Sequence, residues 1–339
     1  MINEMTNDAD TTIKVRDLKV HFLLPRKSFM GVRPTVHAVD GVNFDVQRGQ
    51  SFGIVGESGS GKTTTAMAIM RLVDITGGSI MLGEQNISEA KATELRALRR
   101  KIQIIFQDPY SSLNPRTRAG AIVREPMDLM DVGEIKERDE RVAELFSMVD
   151  LRPEQLNLFP HQFSGGQRQR IGIARALASR PEVIICDEPV SALDVAVQAQ
   201  VINLLRNLQD EFGISYIFIS HDLGVVQYIC DEIAVMYLGK FVEQADRFTL
   251  FKNPLHPYTK ALISAVPSSN PEINSMQNRT ILKGDPPSPI DIPAGCRFAN
   301  RCPIAVDKCH QIEPDFRSVG ENHRVACHLI DENGGQVAG

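Results

Sequence analysis

The run Gly56-Glu57-Ser58-Gly59-Ser60-Gly61-Lys62-Thr63-Thr64 fits the spacing G-x-x-x-x-G-K-[ST]. These residue types suit one chemistry, the cradling of a triphosphate. Glycines let backbone N–H groups close on phosphate oxygens, because they accept dihedrals that a side chain forbids. The helix N-terminus expected after the loop adds partial positive charge. Lys62 can reach the β and γ phosphates, and the Thr63 hydroxyl can hold Mg2+. A second group is Asp187-Glu188, which closes the apolar run 183–186. Two adjacent carboxylates at a buried strand end repel, so they need a cation or a proton nearby.

A third group is Cys296, Cys302, Cys309 and Cys327, spaced C-x5-C-x6-C-x17-C. Four thiolates can complete the shell of a [4Fe–4S] cluster or of a structural zinc. The spacing lacks the tight C-x2-C of zinc ribbons, so chemistry alone leaves both open, together with four unliganded thiols. His310, His323 and His328 are close enough in sequence to replace a cysteine on zinc. The tail has few aliphatic residues, and a small domain of that kind often needs a metal for stability. Cys186 and Cys230 read as packing residues.

The elements that must position these groups follow from the pattern. Residues 51–55 read as a buried strand entering the loop, and 63–72 as a helix leaving it. Segments 13–22 and 36–46 alternate as strands, separated by a polar loop at 23–35, which suggests an antiparallel layer. A short strand at 79–82, a helix at 88–100 and a strand at 102–106 follow, with Gln107 at the strand's C-terminal end, where ligands collect in open α/β sheets. Residues 108–163 read as helical, with Val142, Leu145, Phe146 and Val149 forming a core stripe. Helices at 167–179 and 196–211 alternate with buried strands at 183–188 and 214–220, and strands at 233–236 and 240–243 finish the sheet. The N-terminal residues 1–11 read as disordered.

Length and composition bound the function. The 339 residues suffice for about two domains, and 42% hydrophobic residues supply a sizeable core. A net charge of −5 argues against a general nucleic-acid binder. No apolar run approaches the roughly 18 residues of a membrane helix. The polar, acidic start does not read as a signal peptide, so six cysteines suggest metal or free thiols rather than disulfides.

Further motifs resemble the ATP-binding subunits of ABC transporters. Phe163-Ser164-Gly165-Gly166-Gln167 resembles the family signature, with Phe where Leu is common; Asp187-Glu188 resembles Walker B, Ser191-Ala192-Leu193-Asp194 the D-loop, Gln107 the Q-loop and His221 the switch histidine. They occur in the family's order and span about residues 13–245. Ile105-Phe106-Gln107-Asp108-Pro109, Ser112-Leu113-Asn114-Pro115-Arg116, His256-Pro257-Tyr258, Gly284-Asp285-Pro286-Pro287-Ser288-Pro289 and Gly295-Cys296-Arg297-Phe298 resemble the oligopeptide/dipeptide importer branch. The loop 23–35 and the wording Ile184-Ile185-Cys186-Asp187-Glu188 resemble its second, F-type ATPase subunit.

This resemblance implies an α/β P-loop NTPase fold of the ABC ATPase type, with a RecA-like core, an antiparallel β subdomain and a helical subdomain. It places the ATPase domain at 12–253, its helical subdomain at about 108–166, and a small cysteine-containing C-terminal domain at 254–339. ATP would be bound by Gly56, Ser58, Gly59, Ser60, Gly61, Lys62, Thr63, Thr64, Gln107 and Asp187, with Phe22 stacking on adenine. Mg2+ would be held by Thr63, Gln107 and Asp187. Glu188 would polarise the attacking water, with Gln107 and His221 orienting it at the γ-phosphate. Ser164, Gly165, Gly166 and Gln167 would reach the ATP of a partner subunit, although the same residues suit an ordinary capped helix start. Asp194 would serve in the D-loop. The resemblance favours iron–sulfur over zinc at Cys296, Cys302, Cys309 and Cys327.

The implied function is ATP hydrolysis that powers peptide import across a bacterial inner membrane. The implied partners are a homologous ATPase in a heterodimer, two membrane-spanning permeases and, indirectly, a solute-binding protein, with no nucleic acid. The protein would sit peripherally on the cytoplasmic face. The same role for nickel, glutathione or another small solute, and a soluble ABC ATPase outside transport, are the alternatives.

Overall fold

A computed structural model describes residues 10–26, 33–108, 110–266, 282 and 284–336. Most of the expected disorder at 1–11, the middle of the loop 23–35, and Pro109 lie outside these residues. In chain order the elements are β1 (Thr11–Leu23), β2 (Thr35–Gln47), β3 (Ser51–Val55), α1 (Lys62–Ile69), β4 (Gly77–Leu82), β5 (Gln85–Asn86), α2 (Ala92–Lys101), β6 (Ile102–Ile105), α3 (Ala119–Met130), α4 (Arg138–Met148) and α5 (Gly165–Leu177). They continue as β7 (Val183–Asp187), α6 (Val195–Phe212), β8 (Ser215–Ser220), α7 (Leu223–Ile229), β9 (Glu232–Tyr237), β10 (Lys240–Asp246), α8 (Arg247–Lys252), α9 (Pro257–Ser264), α10 (Asp307–Gln311), β11 (Arg317–Gly320) and β12 (His323–Val325). The chain forms two compact units.

The first unit contains Asp45–Ser51 and Met81–Ile219. Its strands run parallel in the order β8-β7-β6, in the registers Val183↔Ser215 and Ile102↔Val183. Every residue of β7 is buried, as suits a β-branched run covered on both faces. Val142, Leu145, Phe146 and Val149 are buried as the helical spacing requires. Asp108 and residues 110–118, expected to be helical, form turns and bends. The Asp108 and Asn114 side chains accept from the Tyr110 and Arg116 N–H groups (2.8 and 3.0 Å), giving the backbone a local alternative to the helix. Helix α2 starts at Ala92, later than expected, because Glu94 accepts from the Lys91 N–H at 2.8 Å and caps it there.

The second unit contains Val15–Phe44, Phe52–Ile80 and the chain from Ser220 onward. One sheet layer has the order β2-β1-β4, and another β11-β12-β10-β9-β3. β3 pairs parallel with β9, Phe52↔Glu232 to Val55↔Val235, and β10 returns antiparallel. Helix α1 is shorter than expected: Arg71 turns left-handed at φ 51°, and the Leu72 N–H closes on Met67 O at 2.8 Å. The sheet also continues beyond β10. β12 adds to it in the register Glu243↔Val325, Gln244↔Arg324, Ala245↔His323. The tail contributes its own apolar cluster of Leu255, Val319, Val325, Cys327, Leu329 and Ile330.

Candidate functional site

The glycine-rich loop leaves β3 at Gly56 and enters α1 at Lys62. Gly61 caps α1 with φ 110°, and a Cβ there would lie 2.2 Å from Ala38 O, so only glycine fits. No acidic residue occupies the first turn of α1, which leaves that helix end positive. Lys62 is buried, and its Nζ donates to the carbonyls of Gly56 and Glu57, both at 2.8 Å. The ammonium thus lies folded over its own loop. Ser58, Gly59 and Thr63 are exposed, Thr64 is half-buried, and Ser60 Oγ is buried with no hydrogen-bond partner among the described residues.

The first unit carries the carboxylates. Asp187 ends β7 and is buried. Glu188 follows with φ 49°, an uncommon conformation for a residue with a side chain. Its N–H donates to Ile219 O at 2.9 Å, and its carbonyl accepts from Ser191 Oγ at 3.1 Å. This turn points Glu188 Oε2 at Gln107 Nε2, which donates to it at 2.8 Å. The adjacent parallel strands β6 and β7 explain the meeting, since Ile105 and Cys186 are in register just before the two residues.

Ser164 caps α5: its Oγ accepts from the Gln167 N–H (3.3 Å), and Gln167 Oε1 accepts from the Ser164 N–H (3.0 Å). Gly165 and Gly166 stand half-buried at the helix start. Asp194 caps α6, accepting from the Val197 N–H at 3.0 Å. In the second unit, His221 is exposed between β8 and α7, beside Asp222, which caps α7 through the Gly224 N–H. Phe22 is 40% exposed near the end of β1.

Around β1 and β2, His21 Nε2 lies 2.9 Å from Asp40 Oδ1. Burial opposes ionisation of Asp40, but hydrogen bonds from Arg297 and His21 outweigh it and hold the carboxyl at about 2. Among the described residues, His21, His37 and Asp40 alone bring three such ligand atoms within 4.8 Å of one another, and Arg297 already balances the Asp40 charge.

Cys296, Cys302, Cys309 and Cys327 all lie in the second unit. The Cys296 N–H donates to Cys309 O at 2.7 Å, and a Cβ at Gly295 would come 2.3 Å from that same oxygen, so glycine permits the approach. Burial, then the charges of Cys309, Cys327 and Cys302, push the Cys296 thiol up to about 11. Cys302 and Cys327 are raised in the same way. The thiols do not draw into a cage of zinc size, in which ligand sulfurs lie about 3.8 Å apart for Zn–S bonds near 2.3 Å. His323, a candidate zinc ligand, is buried with Nε2 2.8 Å from Glu243 Oε1, and His328 Nε2 contacts Ile312 O at 2.8 Å. Both nitrogens are engaged elsewhere. Cys186 and Cys230 are fully buried, as packing residues should be.

The sequence reading missed the anchoring of the loop residue Glu57. Its N–H donates to Tyr258 Oη, and its carboxylate pairs with Arg301. Separations of 201 and 244 residues left no local signal for either contact.

Comparison with known proteins adds independent information. Residues 39–191 match the ABC transporter family, and residues 242–309 the oligopeptide/dipeptide transporter C-terminal region. The chain is 48% identical over 323 residues to the oligopeptide transport ATP-binding protein AppF of Bacillus subtilis, covering 95% of this chain and 98% of AppF. It is also 48% identical over 318 residues to the putative oligopeptide transport ATP-binding protein YkfD of the same organism, covering 94% and 95%. Among solved structures, it is similar to the ATP-binding cassette MJ0796 in a dimeric post-hydrolysis state bound to ADP and Pi, with 29% identity and a TM-score of 0.62, covering 69% of this chain and 98% of that one. The protein cbiO1 of Clostridium perfringens, part of the ABC transporter complex cbiONQ, gives 27% identity, a TM-score of 0.62 and coverage of 72% and 91%.

Proposed function

The chain belongs to the ATP-binding subunits of the oligopeptide/dipeptide ABC transporters, and from this we propose that it hydrolyses ATP to power peptide import. The observation that carries the reading is the 2.8 Å bond between Gln107 Nε2 and the Glu188 carboxylate, beside the buried Asp187. Lys62 and the N–H groups of Gly59 to Thr64 hold the phosphates, with Ser60 Oγ a further donor. Phe22, exposed at the end of β1, stacks on the adenine. Thr63, Gln107 and Asp187 would hold Mg2+, which would supply positive charge to the phosphoryl oxygens. Glu188 accepts the hydrogen bond of the attacking water, His221 orients that water, and Gln107 fixes the Glu188 rotamer.

Ser164-Gly165-Gly166-Gln167 offers its capped helix start to ATP held by a homologous partner subunit, and Asp194 lies at the same interface. The heterodimer docks on two membrane permeases through the helical region 108–166, where Tyr110, Leu129 and Ile135 are 64%, 56% and 66% exposed. A solute-binding protein delivers the peptide. No helix among the described residues is long and apolar enough to cross a membrane, in keeping with a peripheral subunit on the cytoplasmic face. Replacing Glu188 by Gln keeps the side-chain shape and removes the charge. Mg-ATP binding should persist while steady-state hydrolysis falls by about two orders of magnitude or more; turnover within a few-fold of wild type would remove Glu188 from this role.

Cys296, Cys302, Cys309 and Cys327 are further proposed to hold a [4Fe–4S] cluster. Four cysteines within one unit, with the Cys296 N–H bonded to Cys309 O, supply the sulfur ligands that such a cluster needs. Such a cluster would cross-link the tail segments.

A further inference from the structure

The phosphate loop consists of glycine and serine apart from Glu57 and Lys62, and a carboxylate in a triphosphate cradle is a liability. Glu57 is handled by the C-terminal segment. Arg301 donates to both of its oxygens, at 2.7 and 3.1 Å. Tyr258 Oη accepts from its backbone N–H at 2.9 Å. The Glu57 carbonyl accepts from Lys62. One residue is therefore held by side chain, N–H and C=O at once.

The clamp is enclosed. Tyr258 is fully buried, the Arg301 side chain is 7% exposed, and that of Glu57 is 30% exposed. Tyr237 completes it, its hydroxyl 3.4 Å from Arg301 and its ring edge-on to Tyr258 at 4.7 Å. A bidentate guanidinium fixes the plane of a carboxylate as well as its charge. A Gly/Ser loop loses much backbone freedom on closing around a ligand, and a prior anchor reduces that loss.

We propose that Arg301 and Tyr258 are positioning residues for ATP: they cancel the Glu57 charge beside the phosphates and hold the loop in its binding shape. The inference rests on the ATPase reading. It makes the cysteine-bearing segment part of the nucleotide site, because Arg301 directly precedes Cys302.

Mg-ATP affinity by calorimetry, with KM and kcat, tests it in the full chain. Arg301→Gln should weaken binding roughly tenfold, with KM rising alike and kcat at saturating ATP staying within about twofold. Tyr258→Phe should weaken binding roughly threefold. Adding Glu57→Gln to Arg301→Gln should restore most of the affinity, a rescue that a merely structural role would not give. Arg301→Lys, which keeps the charge and loses the fork, is the second variant should Arg301→Gln lower the thermal midpoint. Wild-type affinity in Arg301→Gln, or no rescue by Glu57→Gln, overturns the proposal. A wild-type chain that binds no Mg-ATP overturns the ATPase reading itself.

Discussion

His256 gives a quantitative prediction about acid stability. It is 1% exposed, packed near the Phe298 ring at 5.6 Å. Its Nδ1 accepts from the Tyr258 N–H at 3.1 Å, so a proton there would face another proton. Burial depresses its pKa from 6.5 to about 4, Lys260 adds to the effect, and Glu243 opposes it. The folded state therefore keeps the ring neutral where the unfolded chain would charge it. Between pH 6.5 and about 4 the unfolded chain binds more protons, so stability falls as pH falls through this window and levels off below it. The full loss is about 3 kcal/mol, and by pH 4.5 about 2.5 kcal/mol should be gone. His256→Asn keeps a side-chain acceptor for the Tyr258 N–H but cannot titrate. Urea unfolding followed by circular dichroism at pH 7 and pH 4.5, on wild type and variant, isolates the difference. Wild type should lose about 2.5 kcal/mol more than the variant, while all other titrations cancel. Equal losses would refute a buried neutral histidine at this position.

Three other outcomes follow from the geometry. Lys62→Ala should weaken Mg-ATP binding by about two orders of magnitude in calorimetry, through loss of a charge-assisted phosphate contact. Gly61→Ala adds a Cβ 2.2 Å from Ala38 O at φ 110° and should lower thermal stability by several degrees while abolishing nucleotide binding, as read by scanning calorimetry and titration. Anaerobic purification with iron, sulfide and zinc analysis should yield about four irons and four sulfides per chain with broad visible absorption; one zinc or no metal would refute the cluster.

What could be read from the sequence was local or continuous. β3 and β7 were legible because both are unbroken apolar runs, buried along their whole length. The strand–loop–helix around residues 56–61 was legible because its glycine spacing is short and local. The strand-end positions of Gln107 and Glu188 were legible, but their hydrogen bond was not, because it depends on β6 and β7 being neighbours in the sheet. The turns at 110–118 were not legible, because the Asp108 and Asn114 side chains accept from backbone N–H groups two residues on, a choice that apolar periodicity does not register. Nor was the partner of Glu57, which depends on a tail arginine 244 residues away. His323 shows the converse problem: its type suited a metal, yet the buried Glu243 claims it, and that carboxylate also accepts the N–H groups of Leu255 and His256.

The pairing of β12 with β10 has a consequence for solubility. β10 carries Phe241, Val242 and Ala245, all buried, and the Ala326 N–H reaches Val242 O at 2.8 Å. An uncovered flank of that kind is a template on which another chain can add a strand. The tail replaces it with β11, four residues long with a register shift between Ser318 and Gly320, a poor surface for such addition. β12 follows β10 at a distance along the chain, so the apolar flank of β10 stays open until His323–Val325 has been made. A chain cut before His323 would keep the ATP-binding motifs and yet expose an aggregation-prone margin.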